Sequence, residues 1–208
     1  TGGGIGAGPF HSQSNESWFF HVPGLKLVYP SNPIDAKGLL LSSIDDENPV
    51  LFFEHKGLYR SIKEDVSDSN YHTPIGKGRI VNSGTSMSII TYGMGVVWAE
   101  NFIKENSQYQ TLIEIIDLRT LLPWDREIVF ESVKRTNKVL ILSEDNITGS
   151  IGAEISASIS EDIFEYLDAP ILRLGALDTP VPFSPNLEKE IYMPTSRLEK
   201  GVKKLLEY

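Results

Sequence analysis

Five glycines, Gly2, Gly3, Gly4, Gly6 and Gly8, lead into Pro9-Phe10-His11-Ser12-Gln13-Ser14. Glycine lets a backbone take positive φ and approach a ligand closely, and imidazole is the side chain that exchanges protons near neutrality. A glycine-rich approach to His11, followed by hydrogen-bonding Ser12, Gln13 and Ser14 that could fix an imidazole tautomer, is a pattern for proton transfer. The same composition also describes a flexible loop carrying a surface histidine. Spacing alone leaves both readings open. Of the other histidines, His21 and His55 stand at element ends beside aromatics and His72 lies in a polar stretch, and none has metal-ligand spacing to another.

Other chemistries find less support. Gly2-x-Gly4-x-x-Ala7 fits the dinucleotide fingerprint formally, but no strand precedes it, Pro9-Phe10-His11 follows where a helix should open, and Ser31 and Asn32 stand where an acidic residue is required. No serine sits in a Gly-x-Ser-x-Gly elbow, which argues against a hydrolase. Thr91-Tyr92 followed by Gly93-Met94-Gly95 could hold a phosphate at a helix N-terminus. Two glycines there also permit tight strand-to-helix packing, the reading we favour.

The elements that must position these residues are short and alternate. A helix is expected over Asn15 to Val22, a strand over Lys26 to Tyr29, and a helix capped by Ser31 or Asn32 with Pro33 in its first turn. A strand from Pro49 to Glu54 follows, and the apolar run Val50-Leu51-Phe52-Phe53 favours a parallel sheet covered on both faces. Between Ser61 and Gly84 the chain is polar and punctuated, which reads as a linker. Strands are then expected over Ser86 to Tyr92, Leu112 to Asp117, Lys138 to Leu142 and Ala169 to Leu174. They alternate with helices over Gly93 to Glu105, Trp124 to Lys134 and Ser150 to Leu167, where Ile151, Ile155, Ile159 and Ile163 form one stripe. A last helix spans Ser196 to Leu206. By pattern, the second unit is a doubly wound α/β domain.

Composition narrows the rest. The 208 residues are 40% hydrophobic, enough for one large or two modest domains with real cores. The formal charge of −9 is spread along the chain, with no basic cluster to follow a phosphate backbone, so nucleic acid is not an expected partner. The absence of cysteine excludes disulfides and thiolate metal sites. No apolar run approaches a membrane span, and Thr1 to Pro9 lacks the basic start and apolar stretch of a secretory signal. The chain does not start with methionine and reads as a fragment.

HSQSNESWFFHVPGLKLVYPSNPIDAKGLL, PVLFFEHKGLYR, IDLRTLLPWD, SEDNITGSIGAEIS and ALDTPVPF, taken in order, resemble the beta subunits of pyruvate and branched-chain 2-oxo acid dehydrogenases over nearly the whole chain. The resemblance implies an α/β fold, with a partial thiamine-diphosphate pyrimidine-binding domain followed by a doubly wound, three-layer α/β/α transketolase-type C-terminal domain. The expected bounds are 1–60 for the first, 61–83 for a linker and 84–208 for the second. It implies a part of the decarboxylating dehydrogenase component: oxidative decarboxylation of a 2-oxo acid and acyl transfer to lipoyl. Two alternatives are a transketolase-like thiamine enzyme and a non-catalytic assembly domain.

The same resemblance assigns His11 as the active-site histidine. It places thiamine diphosphate and magnesium mainly on parts absent from this chain, so the chain is expected to be inactive alone. It offers Ser43, Asp46 and Asn48 as part of a potassium site, although these residues also read as a helix end and turn. Glu207 and Tyr208 are candidate contacts to the lipoyl acyltransferase core. The implied partners are an alpha-type subunit, a second beta-type chain and that core, in the bacterial cytoplasm more than in the mitochondrial matrix. ALDTPVPF leans towards branched-chain substrates. One departure is Ser143-Glu144-Asp145, where many relatives place His-Glu.

Overall fold

A computed structural model describes residues 1–192 and 195–208. Two short helices, α1 (Gly8–His11) and α2 (Glu16–Phe20), precede the strand β1 (Lys26–Val28). Asn32 then sits in extended conformation and accepts the Asp35 N–H at 2.8 Å, with Pro33 in the first turn, which starts α3 (Pro33–Ile44). The chain returns in β2 (Val50–Phe52), parallel to β1 with Leu27 opposite Leu51, and ends this unit in α4 (Leu58–Ser61). The Val50–Phe52 run is only half-buried. Its expected cover on both faces is not seen among the described residues, because β2 lies at the edge of its sheet.

Next come β3 (Arg79–Asn82), β4 (Met87–Thr91), α5 (Met94–Glu105), β5 (Ile113–Asp117), β6 (Thr120–Leu122) and α6 (Arg126–Thr136). The chain continues through β7 (Val139–Asn146), α7 (Ile151–Asp162), β8 (Leu172–Ala176), α8 (Pro185–Ile191) and α9 (Thr195–Leu206). The large sheet has the order β3-β5-β4-β7-β8, with β3 antiparallel to β5 and the other pairs parallel. Side chains alternate along its strands as the two-residue period requires. Ile90, Ile116, Val139 and Ile141 pack with Val129, Val133, Ile151, Ile155 and Ile159 of α6 and α7. Ile89, Ile115, Leu140 and Leu142 pack with Ala99, Phe102, Leu198 and Val202 of α5 and α9. Two helical layers therefore cover one sheet, the expected three-layer α/β/α arrangement.

Several elements differ from the sequence reading. β6 leaves the large sheet and pairs antiparallel with β1, Leu27 opposite Leu122, so the small sheet is β2-β1-β6 and its third strand comes from the second unit. Its pattern was hidden because a three-residue strand has almost no period of its own. β7 runs four residues past Leu142 into buried Ser143, Glu144 and Asp145. α7 stops at Asp162, and a 3₁₀ turn over Phe164–Tyr166 follows, tied down by the Asn137 side chain on the Tyr166 carbonyl at 2.8 Å. A helical turn does open at Gly8, with Pro9 in its first turn, where the sequence argued against one.

Candidate active site at the carboxyl end of the large sheet

The chain leaves β4 for β5 on one side and reaches β7 on the other, so strand order reverses at β4. Doubly wound sheets take ligands in the crevice outside the strand carboxyl ends at such a reversal. Here that crevice holds the chain's own N-terminal segment. The Tyr92 hydroxyl, just past β4, donates to Glu16 Oε1 of α2 at 3.0 Å. At the end of β7, Glu144 Oε1 accepts the Gly3 N–H at 2.6 Å, and the Ser17 hydroxyl donates to Asp145.

Carboxylates gathered in so dry a place cannot all ionise. Glu16 is fully buried and its Oε2 has no hydrogen-bond partner among the described residues. Burial first, then the neighbouring Asp145 charge, push its pKa up to about 8. Burial also raises Asp145, against the hydrogen bonds from Ser17 and the Asn146 N–H. Glu16 therefore holds its proton more tightly than an ordinary carboxyl, while the Tyr92 hydroxyl, raised well above its usual range by burial, stays a donor.

Glu144 Oε2 lies 2.5 Å from His55 Nε2, and the Gly57 N–H donates to His55 Nδ1 at 3.0 Å. Nδ1 is thus the acceptor, and the hydrogen-bond pattern puts the ring proton on Nε2, donated to Glu144. The His55 side chain is 0% exposed. Gly2 is required against it: φ is 91°, and a Cβ there would lie 2.2 Å from the imidazole. His55, which the sequence ranked below His11, is the histidine that joins β2's end to β7's.

His11 ends α1 and is exposed. Its carbonyl accepts from Lys56 Nζ at 2.5 Å. The polar neighbours expected to fix its tautomer do other work. Ser12 is buried and its hydroxyl accepts the Ala7 N–H at 3.1 Å, its carbonyl accepts from the Tyr192 hydroxyl, and the Gln13 carbonyl accepts from Thr1. They fix the backbone on either side of His11 instead of its ring. Beside α1, an open groove of about 610 Å³ is lined by Pro9, Gln13, Asn146, Thr148, Asp178 and Thr179. Asn146 Nδ2 donates to the Leu177 carbonyl at 2.5 Å, and Thr148 donates to Asp178 from both its N–H and its hydroxyl. The HSQ, SEDNITG and ALDTP motifs, far apart in sequence, thus meet at one groove.

The other sequence candidates lie elsewhere. The Ser43 hydroxyl donates to the Leu39 carbonyl within α3 at 2.7 Å. Asp46 accepts from Lys26 Nζ at 2.5 Å and from the Asn48 N–H and Nδ2, contacts that hold its carboxyl down at about 2, Lys26 contributing most. A cation at these residues would have to displace Lys26. Among the described residues no group of three or more His, Asp or Glu side chains is placed to hold a metal ion. Glu207 and Tyr208 are exposed beyond α9. At the start of α5, Gly93 takes φ 53°, and a Cβ would lie 2.6 Å from the Tyr29 ring, so this glycine serves close packing.

Sequence reasoning missed Glu144, Glu188 and Tyr192 as contacts of the glycine segment. A signal for Glu144 was available, since it ends a parallel strand beside the order reversal, where functional side chains collect.

With this geometry the class of the chain is defined: it belongs to the transketolase family by its C-terminal domain, which matches residues 76–197, preceded by the transketolase pyrimidine-binding domain over residues 1–62. Among curated proteins it is 42% identical over 208 residues to the 2-oxoisovalerate dehydrogenase subunit beta of Bacillus subtilis, covering 100% of this chain and 64% of that one. It is 37% identical over 206 residues to the pyruvate dehydrogenase E1 component subunit beta of Mycoplasma pneumoniae, covering 99% of this chain and 63% of that one. The chain therefore spans less than two thirds of the length of these relatives. A solved split gene transketolase, described as an inactive beta4 tetramer, shares the fold with a TM-score of 0.77 at 20% identity, over 95% of this chain and 62% of that one. No helix among the described residues is long and apolar enough to cross a membrane.

Proposed function

We propose that this chain is the pyrimidine-side and C-terminal portion of a beta-type subunit in the decarboxylating component of a 2-oxo acid dehydrogenase complex. The reaction is oxidative decarboxylation of a 2-oxo acid with acyl transfer to lipoyl. The observation that carries this reading is the convergence of the His11 segment, Asn146-Thr148 and Asp178-Thr179 on one groove, in a chain whose relatives are named as dehydrogenase beta subunits.

Thiamine diphosphate, when bound, supplies the carbanion stabilisation, and the protein supplies position and electrostatics. In this chain His11 stands exposed at the end of α1, between Pro9 and Gln13 of the groove lining, and its ring is the proposed proton carrier. Lys56 and Tyr192 fix the carbonyls of His11 and Ser12, so the ring moves about a pinned backbone. Magnesium and most of the diphosphate site fall to an alpha-type chain. Potassium at Ser43, Asp46 and Asn48 belongs to the same reading, with Lys26 releasing Asp46. Glu207 and Tyr208 are the proposed contacts to the lipoyl acyltransferase core, alongside a second beta-type chain. The proposed compartment is the bacterial cytoplasm.

The test is the full-length protein assembled with its alpha-type partner and assayed with pyruvate, 2-oxoisovalerate and 2-oxoglutarate. His11→Ala is expected to reduce lipoyl acylation by about 100-fold or more with the preferred substrate. Acylation unchanged with all three substrates would overturn the assignment of His11.

A further inference from the structure

A run of glycines has no side chains with which to hold itself in place, and its backbone loses more freedom on ordering than any other. The segment before His11 is nevertheless tied at successive points. Glu188 Oε1 accepts the Gly4 N–H at 2.9 Å, and Glu188 Oε2 accepts the Gly6 N–H at 3.0 Å. One carboxylate thus spends both oxygens on two donors of a segment distant in sequence, a charge-assisted arrangement stronger than neutral pairs. Glu188 is 4% exposed.

The placement follows from α8. Glu188 and Tyr192 are four residues apart and joined by the Tyr192 N–H on the Glu188 carbonyl at 3.2 Å, so both side chains leave the same side of the helix. Glu188 takes the glycines before α1, and the Tyr192 hydroxyl takes the Ser12 carbonyl after it. The end of α8 is itself fixed to the large sheet, because Arg197 donates to the Tyr192 carbonyl at 2.8 Å and to the Gly175 carbonyl at 2.7 Å.

We propose that Glu188 is a positioning residue for His11: its carboxylate fixes the Gly4–Gly6 backbone and thereby sets where α1 presents the imidazole. The proposal rests on the reading of His11 as the residue that acts in the reaction. Glu144 holds Gly3 too, but it also holds His55, so Glu188 isolates the effect.

Hydrogen exchange and steady-state kinetics on the full-length protein with its alpha-type partner test this together. In Glu188→Gln, one amide oxygen replaces two acceptors and an NH₂ group faces a glycine N–H. Amides of residues 2–8 should exchange about 10-fold faster or more, with those of β4, β5 and β7 unchanged. The kcat should fall about 10-fold with KM within about two-fold, and Glu188→Asp should recover part of both effects. Unchanged exchange over residues 2–8 would overturn the latch. Faster exchange with unchanged kcat would overturn the positioning role. If Glu188→Gln loosens the large sheet as well, Glu188→Asp decides by the same two readouts. A silent His11→Ala would sink the catalytic reading, while the exchange data would still decide whether Glu188 holds the segment.

Discussion

Arg119 Nη1 donates to Asp35 Oδ1 at 3.0 Å and so joins the segment between β5 and β6 to the first turn of α3. The same guanidinium donates to the Lys77 and Gly78 carbonyls, both at 2.9 Å, and Asp35 Oδ2 also meets Arg79 at 3.0 Å. Asp117 completes the seam by accepting from the Ser31 hydroxyl. Asp117 and Arg119 of the IDLRTLLPWD motif are thus a brace between the two units.

Removing one member of this brace leaves buried charge behind. Asp35→Ala strands Arg119, whose side chain is 13% exposed, and should cost about 3 kcal/mol. Urea unfolding would measure it, and a loss under about 0.5 kcal/mol would show that the brace holds nothing.

The buried carboxyls make stability fall as pH rises. Glu16 is raised from 4.5 to about 8 and Asp117 from 3.8 to about 6, burial being the largest cause in both. Between those values the folded chain keeps a proton that the unfolded chain releases, so the contribution is complete below the unfolded pKa and lost on approach to the folded one. Glu16→Gln should flatten the decline between pH 4.5 and about 8. Thermal melts across that range give the slope, and a wild-type melting point that climbs with pH throughout would contradict it.

Gly93 separates packing from phosphate binding. Gly93→Ala forces Cβ onto the Tyr29 ring at positive φ and should destabilise by about 2 kcal/mol. Inorganic phosphate should leave the wild-type melting point unchanged. A phosphate-dependent rise that vanishes in the variant would restore the ligand reading.

Because β6 belongs to one unit by sequence and to the other by sheet, the two should unfold together. Leu121 is 0% exposed in the core shared by both, and Leu121→Ala should cost about 3 kcal/mol. Calorimetry should show one shifted transition in place of two.

Legibility followed the range of the interactions. Ile89-Ile90, Ile115-Ile116 and the isoleucine ladder of α7 announce a covered parallel sheet because their period is local. Thr120-Leu121-Leu122 does not, since its partner Leu27 lies in the other unit. α8 hides for another reason: Asn186, Glu188, Lys189 and Glu190 give it little apolar pattern, and only Ser184-Pro185 marks its start. The HSQ segment pointed to His11, but Glu144 and His55 become a pair only when β7 and the end of β2 are brought together. Their distance in sequence conceals what 2.5 Å in space makes plain.

The strand exchange at β6 also sets an order of events during synthesis. Within residues 1–208, β1 can find β2 at once through α3, but the edge that β6 covers gains that partner only when Thr120–Leu122 has left the ribosome. An open strand edge recruits other chains. Within this segment, the edge of β1 that β6 covers is therefore left open while β3, β4 and β5 are being made.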